Sequence, residues 1–117
     1  MNEELKSILG SSIKVGSKSI PVEHLRYKGK SKTFVTWTII SEVPSLSAND
    51  DYLYSTVDVD IDVFSDCNYL DIIKEVKKLM KNNNWLWIED SVEMYEENTE
   101  LYHKTITFEK ERFIDNG

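Results

Sequence analysis

Two periods divide this chain. Between positions 57 and 64 it reads VDVDIDVF, with Val57, Val59, Ile61 and Val63 alternating with Asp58, Asp60 and Asp62. A period of two marks a strand with one face on a core, and a strand is expected over Tyr52–Phe64. TFVTWTII, Thr33 to Ile40, keeps the same period and sets Val35, Trp37 and Ile39 on one face. Further on the period changes. Tyr69, Ile72, Ile73, Val76, Leu79 and Met80 form a helical stripe, with Asn68 placed to cap it and Asn82-Asn83-Asn84 to end it. A shorter helix is expected over NEELKSIL, residues 2–9, where Leu5, Ile8 and Leu9 share a face and Gly10 follows.

The remaining elements are marked by composition. Strands are expected at Trp85–Tyr95 and Leu101–Lys110, around the acidic turn EENTE. The stretch before His24, with Gly16 and Pro21, reads as loop-rich. A short strand at His24–Tyr27 is expected to form a hairpin with the TFVTWTII strand through KGKSK. PSLSANDD, residues 44–51, reads as a loop. The order α-β-β-β-α-β-β predicts a single α+β domain over residues 1–117, a mostly antiparallel sheet of four to five strands flanked by two helices.

The chain has 117 residues, 40% of them hydrophobic, enough to bury a core without staples. No apolar run approaches the roughly 20 residues that span a bilayer, and the acidic start MNEELKSILG does not read as a signal peptide. The single cysteine, Cys67, reads as a small residue before a helix, and its solitude fits a reducing compartment. The net charge of −7 argues against electrostatic gripping of nucleic acid or of an anionic membrane, while an acidic wall that repels DNA stays open.

The aspartates invite a metal reading, because D-x-D-x-D begins a calcium loop. That loop needs glycine at its sixth position and glutamate at its twelfth; counted from Asp58 these are Val63 and Tyr69. The strand reading accounts for every residue of the octet instead. Successive aspartates on one face lie roughly 6.5–7 Å apart, and their repulsion in water is only about 0.6 kcal/mol per pair. A solvated face, or a face with a use for its charge, follows.

Other chemistry finds little footing. His24 and His103 are far apart in sequence, His103 reading as a surface or hydrogen-bonding residue, and no G-x-S-x-G, phosphate loop or spaced zinc set occurs. Trp85 and Trp87 fit core packing at a sheet edge, or an assembly contact. Lys74, Lys78 and Lys81 lie on the polar side of the second helix, as a solvated stripe or as a contact for an acidic surface on a neighbouring subunit.

From Ile20 to Arg112 the succession IPVEHLRYKGKSKTFVTWTIISEVP, SLSANDDYLY, VDVDIDVFSD, an amphipathic helix and YEENTELYHKTITFEKER resembles the small tail-terminator, or tail-completion, proteins of long-tailed phages and prophages. The likeness rests on element order, length and the ending Y-E-x-x-T-x-L-Y-H-K-x-I-x-F. It implies a structural virion protein, assembled in the host cytoplasm. Such a protein forms a six-membered ring on the tail tube, stops tube growth and presents a surface to the head connector. DNA passes through as cargo, with no enzyme activity, cofactor, metal or membrane involved. In that setting Asp58, Asp60 and Asp62 become candidates to line the channel. The stretch Pro44, Leu46, Asn49, Asp50 and Asp51 becomes a candidate assembly loop. A neck or head-completion protein of the same assembly is the near alternative. An acidic DNA mimic is the distant one, although the lysine stripe interrupts its carboxylates.

Overall fold

The computed structural model describes residues 2–46 and 52–115. In chain order the elements are α1 (Asn2–Leu9), β1 (Ser12–Val15), β2 (Lys18–His24), β3 (Phe34–Leu46), β4 (Tyr52–Ser65), α2 (Leu70–Asn82), β5 (Leu86–Asp90), β6 (Met94–Glu96) and β7 (Leu101–Asp115). The fold is α+β, as the two periods predict. The strands form one sheet in the order β1-β2-β3-β4-β7-β5, with β6 continuing the β5 side of β7. All pairings are antiparallel except β2 with β3.

Both helices lie on one side of the sheet. Val57, Val59, Ile61 and Val63 of β4 are fully buried there with Val35 and Trp37 of β3 and Ile106 and Phe108 of β7. Against them pack Leu5 and Leu9 of α1 and Ile72, Ile73, Val76 and Met80 of α2. The asparagine run ends α2 in a definite way. Asn84 takes a positive φ of 67°, its N–H donates to the Lys81 carbonyl, and the Trp85 N–H donates to the Met80 carbonyl at 3.0 Å. This Schellman closure brings buried Trp85 back over buried Met80. Gly10, at φ 65°, ends α1 more simply, its N–H donating to the Lys6 carbonyl at 2.8 Å.

Three long strands stretch the molecule. Its extents are 52 × 26 × 23 Å and its radius of gyration is 15.9 Å, against about 13 Å for a compact chain of this length.

Several expectations are corrected. The stretch read as loop-rich holds β1 and β2, and β2 runs parallel to β3 with Val22 beside Val35, where a hairpin was expected. Pro44 and Leu46 belong to β3, opposite Ser55 and Leu53, and not to a loop. The pairing of β2 with β3 ends at Trp37, so Pro44 lies where β3 has a neighbour on one side only, and its missing N–H interrupts no ladder there. Asn49, Asp50 and Asp51 lie outside the described residues. The strand expected at Trp85–Tyr95 is broken at residues 91–93. There the Ser91 hydroxyl accepts from the Thr105 N–H at 2.9 Å, in place of a backbone carbonyl.

Candidate functional site: the acidic face of the sheet

The pleat that buries the valines of β4 turns Asp58, Asp60 and Asp62 to the opposite side, where they form the central column of the outer face. Register sets a partner on each flank. Asp62 lies between Thr36 and Thr105, Asp60 between Thr38 and Thr107, and Asp58 between Ser41 and Glu109. The row is half-buried, not fully solvated as a bare charged face would be. The Thr105 hydroxyl donates to Asp62 Oδ1 at 2.5 Å and the Thr107 hydroxyl to Asp60 Oδ1 at 2.7 Å. Ser41 reaches Asp58 Oδ2 at 3.4 Å. The carboxylates are thus met in part by hydroxyl donors from the flanking strands.

Ser41 reaches that face because of a bulge. The register slips between Ile39 and Ser41, Ile40 is left extra and exposed, and the alternation of β3 inverts beyond it.

At one end an aromatic ladder closes the face. Tyr27 stacks on Phe34 at 4.3 Å between ring centroids, Phe34 on Phe64 at 4.7 Å, and Phe64 on His103 at 4.1 Å. Gly29 is required here: a Cβ on it would stand 2.1 Å from the Tyr27 hydroxyl. His103 Nε2 is 2.9 Å from Asp62 Oδ1 and its Nδ1 is 3.4 Å from Glu96, so the imidazole bridges two carboxylates.

At the other end two acids face each other. Asp58 and Glu109 are cross-strand partners, and Asp58 Oδ1 is buried without a hydrogen-bond partner among the described residues. The Glu109 carboxyl is raised above its usual range by the hydrogen bond to Asp58, then by burial and by repulsion from Asp58 and Glu111.

No lysine or arginine lies among the described outward side chains of β3, β4 and β7. The two described lysines of β7, Lys104 and Lys110, point to the helix side. Lys110 meets Glu4 and the Asn83 carbonyl, and Lys104 meets Asp90 at 3.6 Å. Asp90 also accepts from Lys77 at 3.0 Å and from Trp87 Nε1 at 2.8 Å. Burial works to raise the Asp90 carboxyl, but these donors and the two lysine charges outweigh it and hold it below its usual range.

Lys74, Lys78 and Lys81 are exposed on α2, away from the acidic face. Trp85 is core, whereas Trp87 is half-exposed under the Lys77 ammonium, 4.5 Å from the ring centroid. Beside α2, an open depression is lined by Cys67, Tyr69, Glu93, Tyr102 and Lys104. Burial and a hydrogen bond to Glu93 push the Tyr69 phenol above its usual range. Among the described residues no group of His, Cys, Asp and Glu is arranged to hold a metal.

Sequence reading found the aspartates but missed their flanks. The signal was present: the doublets Thr36-Trp37-Thr38 and Thr105-Ile106-Thr107 carry hydroxyls at the same period as the aspartates and fall in register on either side of them.

A family model described as "Protein of unknown function (DUF806)" matches residues 3–112, and the chain belongs to that family. No curated protein matches it. Among solved structures, a chain from the virion of a native gene transfer agent particle is similar in fold, with 11% identity and a TM-score of 0.50, over 90% of this chain and 81% of that one.

Proposed function

We propose that this protein is a structural component of a phage or prophage virion: a tail terminator that caps the tail tube as a six-membered ring of identical subunits and joins it to the head connector. It carries out no catalysis. It assembles in the host cytoplasm, and its ring leaves a passage for DNA, with Asp58, Asp60 and Asp62 toward the lumen. The reading is supported by the element order that resembles tail terminators and by a fold shared with a virion protein.

The observation that carries it is the one-sided placement of charge. The outward column of β3, β4 and β7 is built of carboxylates and hydroxyls, and the β7 lysines lie behind it. Phosphates are attracted by lysine and arginine. A central column without lysine or arginine gives passing DNA little to hold, and copies around a ring add their fields.

Asparagine, not lysine, is the informative replacement, because it keeps an acceptor for Thr105 and Thr107. Particles carrying Asp58→Asn, Asp60→Asn and Asp62→Asn together are expected to assemble and to release DNA more slowly in a single-particle ejection assay. Unchanged ejection kinetics contradict the channel. Tail tubes that reach their normal length in cells lacking the protein contradict the terminator role.

A further inference from the structure

The sheet is open at both ends. Among the described residues β1 pairs only with β2 and β5 only with β7, so each presents a row of backbone groups with no described strand beyond it. The two edges differ in chemistry. On β5 three consecutive large apolar residues are exposed, Leu86 at 63%, Trp87 at 52% and Ile88 at 43%. Exposed Met94 and Tyr95 of β6 continue the same edge. Edge strands are usually blunted by lysine, proline or a cover; this one offers apolar surface on both sides of its backbone. Its exposed charge on the outer face is Glu89, level with Thr107. On β1, Ile13 and Val15 turn toward the helices, and exposed Lys14, level with Ser19, turns to the outer face.

We infer that a second copy of this chain covers the β5 edge by adding its β1 strand, so that the sheet continues from one subunit to the next. The fit is specific on each side of the joined sheet. On the outer side Lys14 of one copy comes beside Glu89 of the other, opposite charges at matching faces. On the helix side one of Ile13 and Val15 comes beside Trp87 and the other beside Asp90, the two residues that flank Glu89 on that face. The lengths agree, four residues in β1 and five in β5. The contact joins two different surfaces, so it is head-to-tail and propagates until it closes. It rests on the reading that the chain assembles with itself, and it keeps the acidic face on the same side in every copy, facing the enclosed space of a closed ring.

Disulfide trapping tests it. In a Cys67→Ser background, the double variant Lys14→Cys with Glu89→Cys is oxidised at concentrations from micromolar to millimolar. A ladder of dimer, trimer and higher covalent species is expected, whereas either single variant stops at dimer. Trp87→Ala, at a half-exposed position, should lower the ladder while leaving the circular dichroism spectrum unchanged. Lys14→Glu should weaken self-association about fivefold by sedimentation, the scale of one exposed ion pair, and Glu89→Lys in the same chain should restore it. A double variant that yields nothing beyond dimer, or a chain that stays monomeric throughout, overturns the edge contact. The two readings separate cleanly: a protein that forms the ladder but does not cap tail tubes retains the edge contact and loses the terminator role. One that caps tubes without a cross-link between positions 14 and 89 does the reverse.

Discussion

The two sides of this sheet treat charge in opposite ways. On the helix side each half-buried lysine of β7 meets an acid, Lys110 with Glu4 and Lys104 with Asp90, and Asp90 is held below its usual range. On the outer side Asp58 faces Glu109, and Glu109 is raised above its usual range. Both sides draw on the same strands, so the difference is one of placement. The chain has 14 lysines and arginines to spend on its 21 acids, and the β7 pleat sends its lysines to the side where they screen nothing on the acidic column. A fold selected for stability alone would put one of them opposite Asp58.

The contrast can be broken most severely at adjacent residues that face opposite ways. Ile61→Ala, at a fully buried position, is expected to lower unfolding free energy by about 3 kcal/mol in urea titration. The neighbouring Asp60→Ala, which loses a single hydroxyl contact, should cost about 1 kcal/mol. Equal costs would mean that the two sides are not distinct.

Next in size is Asp90→Asn. It loses the charge that Lys77, Trp87 and Lys104 converge on, for about 1–2 kcal/mol at neutral pH. The sign with pH follows from a lowered carboxyl: its contribution is present above the usual carboxylate range and is lost as pH falls through the lowered value. The gap between parent and variant should therefore narrow on acidification. A gap constant with pH would show that Asp90 acts by packing.

Thr105→Val removes one donor to Asp62 while keeping shape, and should cost about 1 kcal/mol, with His103 left as the remaining donor. The smallest effect has the opposite sign. Glu109→Gln should raise the melting temperature at neutral pH, since the glutamine amide can donate where an ionised Glu109 repels Asp58. A raised carboxyl contributes stability that is fully present below its unfolded value and is lost as pH rises through the folded one. The advantage of the variant should therefore vanish in acid. A lower melting temperature at neutral pH would mean that Glu109 is not opposed by Asp58.

How legible all this was depends on whether the cause was local. VDVDIDVF fixed the core side of β4 because alternation is a property of the strand itself, and the α2 stripe fixed its buried face for the same reason. β1 and β2 escaped because Pro21 and Gly16 suggest a loop when read without neighbours. The parallel pairing of β2 escaped because residues 25–33 form an unusually short connection, turned by Leu25 at φ 70°. The insertion of β7 between β4 and β5 is a long-range fact that no window of sequence carries. At the site the aspartates were legible. Their setting was not, since it depends on register and on a bulge that only the doublet Ile39-Ile40 hints at.

The most direct measurement of the central claim is a cryo-electron-microscopy map of the protein assembled on tail tubes, at a resolution that traces β4. The account predicts that Asp58, Asp60 and Asp62 of every subunit face the lumen, with α1 and α2 outside. A map that turns the helices inward, or buries the aspartate column against a neighbouring protein, contradicts it.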